Sequence, residues 1–252
     1  MQMSREDRVK MERAHVFAWP ALNTAVIDGW LWRCSGGGSQ RANSVSTIDF
    51  TGADPEAAIA QVELRYHALG EAARFHTFDE TSPPGLADIL RKRGYQPTEP
   101  TTTMFKRIEA AEPAPTEVEA RDHAWSEWRA VYLNEITENR RAVNTLILDR
   151  IPGLSCFFGC RRSNEMVATA LCVVSFGCAV IECVATRSDA RRRGAAQSVL
   201  AALERWAGQQ SADLLGLQVA TGNAPAVALY QRLGFVAGAT NSFWVGGSQD
   251  RR

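Results

Sequence analysis

Val184-Ala185-Thr186-Arg187-Ser188-Asp189-Ala190-Arg191-Arg192-Arg193-Gly194-Ala195-Ala196 is the stretch on which the reading of this chain turns. An apolar run enters it from Ala179. A run with Val199, Ala202, Leu203 and Trp206 at helical spacing leaves it and continues to Gln209. Strand, short polar loop and helix, in that order, put a helix N-terminus at the loop. The first N–H groups of a helix lack internal partners, and its dipole favours negative charge there. Gly194 lets a ligand approach the main chain, and Ala195 and Ala196 leave room beside it. Arg191, Arg192 and Arg193 attract a polyanion. The segment predicts a site for pyrophosphate or a similar anion. It contains neither the Gly-Lys-Ser/Thr of nucleoside triphosphatases nor a G-x-G-x-x-G dinucleotide fingerprint.

Outward from this loop the chain alternates strands and helices. Upstream, Asp122 to Leu133 reads as a helix with Trp125, Trp128 and Tyr132, and Val143 to Leu148 as further helix. Ser155–Arg161, Val167–Phe176 and Ala179–Ala185 read as strands, with a turn at Gly177. Downstream come strand Leu214–Ala220, helix Ala224–Leu233 and strand Phe235–Val245. In the first part, Val9, Met11, Ala14, Val16 and Phe17 mark a helix ended by Pro20. Ala25–Arg33 and Arg41–Ile48 read as strands around Gly36-Gly37-Gly38. Helix Glu56–Leu69, strand Arg74–Phe78, helix Gly85–Arg93 and strand Thr101–Ile108 follow. This is an α/β class with a mixed sheet. Leu90-Arg91-Lys92-Arg93-Gly94-Tyr95 matches Tyr230-Gln231-Arg232-Leu233-Gly234-Phe235 at an offset of 140 residues, and the same elements precede each. Two related domains are expected, 1–108 and 117–252, joined by the Pro-Ala linker 109–116.

Arg191-Arg192-Arg193-Gly194-Ala195-Ala196 resembles the R/Q-x-x-G-x-G/A signature of the GNAT superfamily of N-acetyltransferases, with Ala196 where many members have Gly. Asn223-x2-Ala226-x3-Tyr230-x3-Gly234-Phe235 resembles that family's second cofactor motif, in the right order. The resemblance spans roughly residues 117–245. It implies two tandem GNAT-like domains and acetyl-CoA as cosubstrate, with an amine of a small molecule or peptide attacking the thioester directly. N–H groups of Arg192 to Ala196, beside Arg191, would hold the pyrophosphate. The strand through Val184, Ala185 and Thr186 would pair with the pantetheine amides, as an added strand does at a sheet edge. Asn223 would hold or order the pantetheine arm, and Tyr230 would protonate the departing thiolate. Glu182 occupies the place of a frequent GNAT base, with a water chain as the other route for the amine proton. It is also the lone acid of an apolar strand, where burial would raise its pKa into a useful range, the other reading being a half-exposed strand residue that points away from the site.

Candidate acceptor contacts lie in the first helices of the second half. Glu135, with Glu127 and Glu138, suits a cationic amine, and Trp125, with Trp128 and Tyr132, could wall it; all of these also suit ordinary helix faces. In the first half, the loop Asp49 to Pro55 carries two acids and no R-x-x-G, so it should repel pyrophosphate. That half resembles the degenerate amino half of tandem GNAT proteins. Trp30, Arg41 and Asn43 are its candidate acceptor contacts, with buried structural polar groups as the other reading.

Composition narrows the rest. The 252 residues carry 28 basic and 28 acidic side chains, which argues against nucleic acid as a partner. No apolar run is long enough for a membrane span, and Met1 to Lys10 is charged, so a cytoplasmic protein is expected. Cys156-x3-Cys160 has no companion pair, and no metal is expected. Oligomeric state, homodimer included, is open. Two other readings stand: transfer of a longer acyl group, and a non-catalytic acyl-CoA sensor or interaction module.

Overall fold

The computed structural model describes residues 3–98, 100–108 and 116–246. Ser4 caps α1 (Arg5–Ala18), its hydroxyl accepting from the Asp7 N–H at 3.1 Å. The segment expected as one strand, Ala25–Arg33, is a hairpin of β1 (Asn23–Ile27) and β2 (Trp30–Cys34). Asp28 and Gly29 take φ of 47° and 86°, the backbone of a tight two-residue turn for which Asp-Gly is the sequence signal. The strand expected over Arg41–Ile48 reduces to a 3₁₀ turn at Arg41–Asn43 and β3 (Val45–Ser46). The Asn43 side chain holds this turn against the glycine loop, which the apolar pattern does not reveal.

Asp54 caps α2 (Pro55–His67), accepting from the Glu56 N–H at 2.9 Å. Then come β4 (Arg74–Phe78), α3 (Leu86–Lys92), β5 (Gln96–Pro97) and β6 (Thr101–Arg107). The second half holds β7 (Val118–Arg121), α4 (Ser126–Asn134), α5 (Glu138–Leu148), β8 (Ser155–Arg162), β9 (Glu165–Ser175) and β10 (Cys178–Thr186). It closes with α6 (Ala195–Gln209), β11 (Leu214–Ala220), α7 (Ala224–Arg232) and β12 (Val236–Val245). The short β5 and β7 carry no strand pattern in the sequence. Seven of the eight residues of the expected linker, 109–115, lie outside the described residues.

These strands form a single mixed sheet, in the order β1-β2-β3-β4-β12-β6-β11-β10-β9-β8-β7, with β5 on β12. The order mirrors itself about its centre. β3–β4 and β10–β11 are the parallel pairs, one in each half. β12, the last strand, pairs with β4 of the first half, and β6 of the first half pairs with β11 of the second. α1 and α4 cover one face of the second half, where Met11, Trp19 and Phe105 share a core with Trp128, Leu171 and Val180. Gly216 permits this contact: a Cβ there would come within 2.3 Å of the Met11 sulfur. α6 covers the opposite face with Val199, Leu200 and Leu203. A third core, around Trp30, Phe75 and Tyr66, takes Trp244 from the last strand.

Candidate active site

β10 and β11 pair only at Cys178–Leu214, Ala179–Leu215 and Val180–Gly216, although β10 runs on to Thr186 and β11 to Ala220. Beyond Val180 the two strands part. The β10–β9 register shifts between Glu182 and Ala185, and Cys183 sits at φ 55°, so a β-bulge turns β10 away from its neighbour. A cavity of about 930 Å³ fills the fork. Ile181 to Thr186 form one wall and Leu217 to Ala220 the other.

The arginine loop closes one end. After a 3₁₀ turn at Ser188–Ala190, Arg192 and Gly194 take φ of 59° and 81°. α6 then begins with no side-chain cap on Gly194, so its first N–H groups are left for a ligand. Arg191, Arg192, Gly194, Ala195 and Ala196 line the cavity; Arg193 is exposed and is not part of the lining. Glu135 lines it too, but is engaged with the loop: it pairs with Arg191 and accepts from the Ser188 N–H at 3.2 Å.

Tyr230, on α7, reaches the same cavity and is 7% exposed. Burial, and then the charge of Glu182, pushes its phenol up to about 12, so it holds its proton at neutral pH. Asn223 lines the cavity and caps α7, its Oδ1 accepting from the Ala226 N–H at 3.3 Å.

Glu182 reverses the expectation for its pKa. It is buried, but the Arg41 guanidinium grips both its oxygens, Nη2 donating to Oε2 at 2.5 Å. Desolvation raises its pKa, and the charge and hydrogen bonds of Arg41 outweigh it, holding the carboxyl down at about 2. Arg41 comes from the first half, so this pair ties the two halves at the cavity wall. The His15 ring of α1 is buried beside it, Nδ1 3.9 Å from Glu182 Oε1.

Of the other candidate contacts, Tyr132 lines the cavity, while Trp125, Trp30 and Asn43 do not. Trp125 is buried, its ring under the Arg121 guanidinium at 4.5 Å. Trp30 donates its Nε1–H to the Ser82 carbonyl at 2.7 Å inside the first core. Asn43 accepts from the Ser35 N–H at 2.8 Å and donates to the Ser39 carbonyl at 2.8 Å. Conversely, Trp19, Ser39, Arg140 and Gln218 line the cavity without any motif that marks them. Gln218 donates to Glu12 of α1 at 3.0 Å, and Glu12 faces the His76 Nδ1 at 3.3 Å. All six cysteines are buried free thiols, and among the described residues no cluster of three His, Cys, Asp or Glu could hold a metal. No helix among them is long and apolar enough to cross a membrane.

The sequence is 28% identical over 239 residues to a Bacillus subtilis (strain 168) protein described as "Uncharacterized N-acetyltransferase YobR", covering 91% of this chain and 95% of that one. The fold matches a GCN5-related N-acetyltransferase from Kribbella flavida at a TM-score of 0.72 and 17% identity, over 96% of both chains. It also matches a tandem GNAT protein from the clavulanic acid biosynthesis pathway, at a TM-score of 0.64 and 11% identity over 98% of both. The family model described as "Probable histone acetyltransferase Rv0428c C-terminal" matches residues 7–242. The chain belongs to that family, and with it to the GNAT-type acyltransferases.

Proposed function

We propose that this protein moves the acetyl group of acetyl-CoA to a primary amine of a small molecule or peptide by direct attack. The carrying observation is that the fork between β10 and β11, the arginine loop and the buried Tyr230 phenol all open on one cavity. Its dimensions and donors fit the cosubstrate. The uncapped start of α6, with Arg191 and Arg192, takes the pyrophosphate. The stretch of β10 from Val184 to Thr186, no longer paired with β11, offers main-chain groups on that side to the pantetheine amides. A backbone N–H at the bulge, Val184 or a neighbour, polarises the thioester carbonyl. Tyr230 gives its proton to the leaving sulfur. Glu182, held as a carboxylate by Arg41, fixes the acceptor side of the wall, and the amine proton leaves through water.

The two halves arose, in this reading, from one duplicated unit. The first lost its cofactor loop: Asp49, at the equivalent place, pairs with Arg13 at 2.6 Å. Calorimetry with acetyl-CoA and with CoA tests the cofactor assignment. One-to-one binding of both is expected, and no heat with either would overturn it. A screen of amines, amino acids and peptides for thiol release then identifies the acceptor. Binding without turnover on any amine would favour the sensor reading.

A further inference from the structure

A second cavity, of about 360 Å³, lies between α1, the β1–β3 edge, the turn after α5 and the β9–β10 turn. It shares no lining residue with the cleft. Val16, Phe17, Leu31, Ile48, Pro152 and Phe176 make its walls. Phe17 and Phe176 are exposed and meet edge-to-face at 6.1 Å, forming an aromatic lip.

At its floor is Arg33. Trp30, Trp32 and Cys34 of β2 face the first core, and the alternation of the strand sends Leu31 and Arg33 to the other face, into the cavity. Arg33 is 2% exposed. Its Nε donates to the Ser44 carbonyl at 3.3 Å, its Nη1 has no partner, and among the described residues no carboxylate lies at ion-pair distance. Burial pulls the guanidinium down to about 10. The acid that acts on it most, Glu12, is turned to Gln218 and His76. The cavity's one carboxylate, Asp49, is tied to Arg13, while the Arg150 guanidinium donates to the Leu22 carbonyl at 2.7 Å. The lining therefore carries excess positive charge on apolar walls. A buried guanidinium is costly unless an anion pairs with it, and its planar fork fits a carboxylate.

We propose that this cavity binds a small monocarboxylic acid with an apolar body, its carboxylate on Arg33 and its body against Phe17, Leu31 and Ile48. The site is independent of the acetyl-CoA cleft. Calorimetry and thermal shift on the full chain, with 4-methylpentanoate and 3-phenylpropionate against their primary amides, test it. At least one acid should bind one-to-one. Its amide should bind at least about ten-fold weaker, the size of a lost charge-assisted hydrogen bond. Arg33→Met should lose the acid and keep acetyl-CoA binding. Ile48→Trp, which fills the cavity and spares Arg33, should also lose the acid, and it decides the matter if Arg33→Met fails to fold. Equal binding of acid and amide, no acid binding up to about 10 mM, unchanged affinity in Ile48→Trp, or displacement of the acid by acetyl-CoA would each overturn the assignment.

Discussion

Tyr230 and Glu182 show how one cavity treats two acids differently. Tyr230 has no counter-charge, so burial keeps it protonated; Glu182 has Arg41, so burial leaves it ionised. Tyr230→Phe should lower turnover by roughly 10²-fold, within the range for a lost general acid, and leave the acetyl-CoA Kd unchanged. Steady-state kinetics beside calorimetry checks this, and equal turnover removes the acid role. Glu182→Gln strands the Arg41 charge in the wall and should cost about 3–5 kcal/mol of stability. Arg41→Met, by contrast, should raise the Glu182 pKa from about 2, because the largest influence opposing desolvation is then gone. Denaturant melts and carboxyl titration by NMR read the two effects. Glu182 was legible in the sequence as a buried acid near the site. Its partner, 141 positions away, was legible only as a candidate contact, since no local pattern sets a pair so distant.

At the scale of the element, the loop and the bulge divide the work. The loop is written in one short segment, so its chemistry reads directly from residues 186–196. The bulge at Cys183 is not, because nothing in an apolar strand marks which residue will leave the ladder. Within the loop, Arg192 lines the cavity and Arg193 does not. Arg192→Glu should therefore weaken CoA binding more than Arg193→Glu, and salt should shrink the smaller, longer-range effect first. Affinities at two ionic strengths separate them. Helices with clear apolar spacing, α6 above all, follow the sequence closely. The hairpin β1–β2 departs from it because apolar residues flank the Asp-Gly turn on both sides and mimic one long strand.

For the whole molecule, the exchange of last strands and the position of α1 matter most. A fragment of residues 117–252 would lack β6, which sits between β11 and β12, and α1, which covers β9 and β10. It should show no cooperative melt, whereas an independently folded fragment that binds CoA would contradict this reading. The seam under α1 also sets a pH dependence. Burial pushes Glu12 up to about 7, so the native state keeps a proton that the unfolded chain loses near 4.5. Its contribution makes stability fall between those values, by about 3 kcal/mol in all. His76, pulled down to about 3, acts in the opposite sense between 3 and 6.5. Glu12→Gln removes the first leg alone, so its stability relative to the parent should rise from pH 5 to 7 in denaturant titrations.

The fold class, the arginine loop and the family are all legible in the chain, because each is carried by contiguous residues whose spacing expresses local backbone physics. Which residues meet across the halves emerges only in the folded chain: β12 beside β4, Arg41 on Glu182, Glu12 between Gln218 and His76. Such contacts depend on strand order and on the face each strand presents. Both arise from closing the sheet as a whole, and no segment of the chain encodes them alone.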